Sequence, residues 1–103
     1  MSVHLRIRVP EGGREALLAF LDEAVPFYES PGGIRVRLLA HAEAGDRFVE
    51  QVDHVDERTY QADEERLRSE ATVAGYLDRW RGLLAEPPVV EVYRPATRGR
   101  RQA

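Results

Sequence analysis

Two side chains with acid–base chemistry sit four residues apart in one alternating run, Glu50 and His54 within Arg47-Phe48-Val49-Glu50-Gln51-Val52-Asp53-His54-Val55. Period-two alternation puts both on the same side of a strand, about 13 Å apart along it. An imidazole, with an ordinary pKa near ~6.5, is suited to taking or giving a proton close to neutrality. A carboxyl on the same side can orient a substrate, or orient the base through water. Phe48 and Val52 share that side, so the two polar groups stand on a face otherwise built for packing. Burying either without a partner is costly. Two simpler arrangements compete with a functional one: Glu50 paired with an arginine, and His54 at a solvated strand end.

Much other chemistry is excluded by composition. The chain of 103 residues has no cysteine, and all 15 of its basic residues are arginine. Disulfides, thiolate metal sites, cysteine nucleophiles, Schiff-base lysines and P-loop lysines are therefore out of reach. Asparagine is absent as well. The three histidines fall on three strands with no metal-ligand spacing, so neither a resident metal nor a cofactor is expected. Glycines 12–13 and 32–33 read as turns, and none of the three serines has a nucleophile-elbow context. A net charge of -3 and a mean hydropathy of -0.47 describe a globular protein, with no nucleic acid among its expected partners.

These residues need a scaffold, and the hydrophobic pattern supplies one. Val3, Leu5, Ile7 and Val9 alternate with His4, Arg6 and Arg8 as in a half-buried strand. Leu17, Leu18, Leu21, Ala24, Val25 and Tyr28 then take helical spacing until Ser30-Pro31-Gly32-Gly33 stops them. A strand of Ile34, Val36, Leu38 and Ala40 leads to the run that carries Glu50 and His54. Residues 43–45 suit a hairpin loop with Gly45 in the left-handed position. That register sets Ala40 against Phe48, Val36 against Val52 and Arg35 against Asp53, aligning apolar partners and opposite charges. Residues 59–85 are predicted helical, with Thr59 as cap and a break near residues 69–72. Val89 to Tyr93 forms a last strand. Residues 1–95 are expected to form one domain, and 96–103 an Arg-rich disordered tail.

The order strand, helix, strand, strand, helix, strand predicts a ferredoxin-like βαββαβ plait, an α+β fold with a four-stranded antiparallel sheet and two helices on one face. The segments Thr59-Tyr60-Gln61-Ala62, Tyr76-Leu77-Asp78-Arg79-Trp80 and Leu83-Leu84-Ala85-Glu86-Pro87, preceded by Phe48-Val49-Glu50-Gln51-Val52, resemble the dimeric α+β barrel superfamily. The NIPSNAP-like and antibiotic-monooxygenase-like small proteins are the branches most similar. The resemblance implies a homodimer with sheets face to face and a pocket between sheet and helices in each subunit. It also implies cofactor-free oxygenation of quinols as one activity within the superfamily. The haem-degrading branch relies on an asparagine, a tryptophan and a histidine; with no asparagine here that triad does not carry over, and no catalytic role passes to Trp80.

The sheet face away from the helices carries His4, Arg6, Arg8, Arg35, Arg37, Leu39, His41, Val49, Gln51, Asp53 and Glu91. It reads as a homodimer interface, ahead of a solvated face or an anion-binding lumen. On the helix side, Phe48, Leu67, Leu77 and Trp80 would line a pocket for a small apolar ligand, with His54 as base and Glu50 as orienting group. The alternative is a non-catalytic dimeric module binding a small molecule or a partner. No apolar run is long enough to span a membrane and Met1-Ser2-Val3-His4 begins no signal peptide, so a cytoplasmic protein is expected.

Overall fold

The computed structural model describes residues 1–97. The elements are β1 (Ser2–Arg8), α1 (Arg14–Glu29), β2 (Ile34–Ala40), β3 (Arg47–His54), α2 (Glu57–Ser69), α3 (Ala71–Arg81) and β4 (Val89–Tyr93). The four strands pair antiparallel in the order β2-β3-β1-β4, the ferredoxin-like α+β arrangement. The predicted disordered tail lies, from residue 98 onward, outside the described residues.

Alternation along β1 sends Ile7 and Val9 into the core, where they meet Phe48 of β3 and Leu17, Phe20, Leu21 and Ala24 of α1. Leu17 and Ala24 are fully buried, on the helix stripe that the spacing required. Trp80 joins this cluster from α3. The β2–β3 register pairs Ala40 with Phe48, Val36 with Val52 and Arg35 with Asp53, as the hydrophobic pattern demanded.

The connection between β2 and β3 differs from expectation. Gly45 does not have a positive φ. The His41 imidazole stabilises the turn instead, its Nδ1 accepting from the backbone N–H of Glu43 at 3.0 Å and of Ala44 at 2.9 Å. Left-handed glycines occur elsewhere, among them Gly33 with φ 75°. A Cβ on Gly33 would lie 2.9 Å from Val55 Cγ1, and the Gly33 carbonyl accepts from Val55 N, so that turn needs glycine for two reasons.

The break expected near residues 69–72 falls at Glu70 and divides the second helical segment in two, with the later helix ending at Arg81 rather than 85, so three helices, not two, stand among the described residues. Glu70, extended at φ -98° and ψ 122°, separates α2 from α3. Asp56 rather than Thr59 caps α2: its Oδ1 accepts from Thr59 N at 2.8 Å and from the Thr59 hydroxyl at 2.7 Å. Gly82 ends α3, and Ala85 N then donates to the Arg8 carbonyl, tying the following turn to β1.

On the open face the charges pair differently from the simplest cross-strand reading. Arg35 faces Asp53 but forms no ion pair with it among the described residues. Asp53 accepts from the Ser2 hydroxyl at 2.6 Å and from Gln51. The Ser2 hydrogen bond is the main cause that holds the Asp53 carboxyl below its ordinary range. Arg6 lies 3.6 Å from Glu91, and Arg8 lies 3.1 Å from Glu86. No helix of the described residues is long and apolar enough to cross a membrane.

Candidate functional site

β3 runs through the middle of the sheet between β2 and β1, which places Glu50 between Leu5 and Leu38. The α1 and α3 helices cover this part of the face, and the Glu50 side chain is only 4% exposed. No arginine or histidine reaches it among the described residues, and Oε1 has no hydrogen-bond partner. Burial therefore acts nearly unopposed and pushes its pKa up to about 7. The Trp80 indole is the one group that holds it down, yet Nε1 makes no hydrogen bond of ordinary geometry. The arginine-paired arrangement for Glu50 is thus not the one adopted.

His54 ends β3 beside Ile34 and is 5% exposed, so it is not at a solvated strand end. The chain enters α2 directly, and helical spacing brings Tyr60, Asp63 and Leu67 to the side facing the sheet. Asp63 Oδ2 lies 2.9 Å from His54 Nε2, and the Tyr60 ring packs edge-on at 5.3 Å. A carboxylate at Nε2 favours the tautomer with its proton there. Nδ1 then carries the lone pair, and it is buried without a partner among the described residues. Arg66 holds Asp63 in place from 3.8 Å while donating to the carbonyls of Phe27 at 3.0 Å and Tyr28 at 3.3 Å. Those bonds anchor α2, which buries no residue of its own, to the C-terminal end of α1.

Glu50 and His54 line one cleft of about 240 Å³ between the sheet, α2 and α3. Leu67, Leu77 and Trp80 line it too. Phe48 does not: the same strand face carries it toward the other end of the sheet, into the main core under the Arg14 guanidinium. Three of the contributors that were not anticipated matter most to its chemistry and access. One is Asp63, in the first turns of α2. Tyr28, whose hydroxyl burial pushes up to about 12, looked like core. Val90 of β4 faces the cleft but remains 56% exposed, so one flank is open. Which residue Asp63 reaches depends on how α2 crosses β3.

No group of three or more histidine, cysteine or acidic side chains among the described residues could hold a metal ion. The arrangement can do proton chemistry: a base oriented by a carboxylate, and a carboxyl poised to be neutral or charged near pH 7, facing an apolar space.

This fold is shared with solved structures described as antibiotic biosynthesis monooxygenases and as a NIPSNAP domain protein. A provisionally named antibiotic biosynthesis monooxygenase from Bordetella bronchiseptica superposes with a TM-score of 0.75 at 23% identity, covering 93% of this chain and 96% of its own. A variant of SnoaB, a cofactor-independent oxygenase from Streptomyces nogalater, gives 0.70 at 13% identity, covering 95% and 96%. An uncharacterized NIPSNAP domain protein from Burkholderia xenovorans gives 0.65 at 17% identity, covering 96% and 100%. At such identities the likeness is one of fold. No protein-family model matches the sequence, and neither does any curated protein.

Proposed function

We propose that this chain is a cytoplasmic, homodimeric, monooxygenase-like enzyme that works without a cofactor on a planar phenolic or quinol-type small molecule. The observation that carries the reading is the buried His54–Asp63 pair in an apolar cleft that also holds the unpaired carboxyl of Glu50. His54 Nδ1 takes the hydroxyl proton of the substrate, Glu50 orients it, and Leu67, Leu77 and Trp80 flank its ring. The resulting electron-rich anion reacts with dioxygen. One oxygen atom becomes a new carbonyl of a quinone and the other leaves as water with two substrate hydrogens. The substrate is the reductant, so the balance needs no further electron donor. The fold shared with an oxygenase described as cofactor-independent supports this chemistry. Dimerisation through the open sheet face is supported by Leu39, Val89 and Tyr93, each 42–47% exposed among pairable charges.

A second reading, a non-catalytic dimeric small-molecule-binding module, draws on the size of the cleft and the burial of its polar atoms. Its 240 Å³ falls below the ~300–1,000 Å³ usual for ligand pockets, and Glu50 Oε1 and His54 Nδ1 are sealed from solvent. Incubation with one- and two-ring phenols and naphthols under isotopically labelled dioxygen separates the two. The enzyme reading expects one labelled oxygen per product molecule, lost in His54→Gln. Binding without labelled product across the panel would leave the module.

A further inference from the structure

We propose that the Glu50 end of the cleft is a site for the ammonium group of a small organic amine, which supplies the counter-charge that the protein itself withholds. The inference rests on the preceding reading of the cleft as a small-molecule site, and adds to it the charge of the group that Glu50 receives.

A carboxyl buried without a cation is costly, and packing alone would have selected an apolar residue at its position. Glu50 is 4% exposed, and its Oε1 has no hydrogen-bond partner among the described residues. The cleft around it makes the imbalance larger. Glu64 of α2 also lines it, and forms no ion pair among the described residues. Asp63 lines it too, but is answered by Arg66 at 3.8 Å and by the His54 ring at 2.9 Å. The single arginine of the lining is Arg81, which is exposed and lies 3.6 Å from Asp78. Two acidic groups of the lining thus have no cation set against them, and the one cation is committed elsewhere.

The neighbouring groups favour a cation over the alternatives. An anionic ligand would meet Glu50 and Glu64 with nothing to neutralise it. The Trp80 indole, its Nε1 buried without a partner among the described residues, is a donor only, and it is the one group that favours the charged form of Glu50. Ionised Glu50 has two oxygens to offer, one for the indole N–H and one for an ammonium N–H. A neutral acceptor would instead require the protonated carboxyl, and would do nothing to balance Glu64. Trp80 and Tyr28 are among the walls, and the faces of such rings attract cations. Leu5, Val36 and Leu77 also line the space, so the rest of the ligand is apolar, and 240 Å³ suits a single ring on a short chain. Binding of a cation displaces the Glu50 proton, so affinity rises with pH through neutrality, where this carboxyl titrates. The other titratable groups of the lining are Tyr28 of α1, His54 of β3, Asp63 and Glu64 of α2, and Arg81 of α3. Replacing Glu50 alone separates its contribution from theirs.

Isothermal titration calorimetry of the full chain, at pH 6 and at pH 8 in about 0.15 M salt, tests the site with four probes of similar size: tyramine, 4-ethylphenol, 2-phenylethylamine and 3-(4-hydroxyphenyl)propionate. Both amines are protonated at either pH, as a lysine side chain is. At pH 8 tyramine should bind about 10-fold tighter than 4-ethylphenol, and the propionate should bind weakest. At pH 6, where about a tenth of Glu50 is ionised, the advantage of tyramine should largely disappear. Glu50→Gln, shown to be folded by circular dichroism, should abolish it at both pH values. Equal binding of 4-ethylphenol and tyramine at pH 8, a propionate that matches tyramine, or an advantage that survives in Glu50→Gln would each overturn the ammonium site while the phenol site stands. The pH comparison needs no variant, and an advantage undiminished at pH 6 overturns the site as well. Equal binding of tyramine and 2-phenylethylamine, with none of 4-ethylphenol, would uphold the ammonium site and overturn the phenol reading. Failure of all four probes to bind overturns both.

Discussion

Glu50 should make the protein less stable as pH rises through neutrality, and replacing it should remove that dependence. A carboxyl titrating near 4.5 when unfolded and near 7 when folded binds its proton more tightly in the native state. Its contribution is therefore fully present below the unfolded value, declines as pH climbs, and is lost above the folded one. The difference of two to three units, at 1.36 kcal/mol per unit, corresponds to about 3 kcal/mol between pH 4.5 and pH 8. Only the Trp80 indole opposes the burial, because no cation pairs with Glu50 among the described residues. Urea unfolding followed by circular dichroism, at several pH values from 4.5 to 8, measures it directly. Glu50→Gln should flatten the pH profile, and Glu50→Leu should be more stable than the native chain at pH 8 while binding no phenol. That gain of stability with loss of binding is the mark of a group kept for function rather than packing. A Glu50→Leu protein destabilised by ~2–4 kcal/mol would mean that a cation had been stranded, and would refute the unpaired carboxyl.

Removing Asp63 by Asp63→Ala leaves both ring nitrogens of buried His54 without a partner and should cost about 1–3 kcal/mol in thermal or urea unfolding, with Asp63→Asn recovering part of it. Gly33→Ala should destabilise by roughly 1–3 kcal/mol, since it combines a positive φ with a clash against Val55, whereas the same change at Gly45 should be nearly neutral in the same assay. Light scattering after size exclusion should report twice the chain mass at micromolar concentration; a monomer there would remove the open face from consideration as an interface. Truncation after Pro95 should leave Tm within a few degrees, because no residue beyond it is apolar and larger than alanine.

Period and punctuation in the sequence determined the strand order, the β2–β3 register and the two faces of the sheet. Those depend on local rules: side chains alternate along a strand, and a one-residue slip would have inverted every face. That same rule placed Glu50 and His54 on the helix side before any packing was known. What surrounds them was decided elsewhere. The hairpin turn is held by His41 rather than by a left-handed Gly45, because a side chain folding back can satisfy the amides that a glycine would otherwise accommodate. Phe48 left the cleft for the core because side chains sharing a strand face can still lie beneath different helices. Asp63 reached His54 only through the angle at which α2 crosses the end of β3, with Arg66 fixing that helix to the end of α1. Such contacts join residues far apart in the chain, and no spacing along it encodes them. The high pKa of Glu50 belongs to the same class: the residue type is in the sequence, but the absence of a neighbouring cation is a property of the packed molecule.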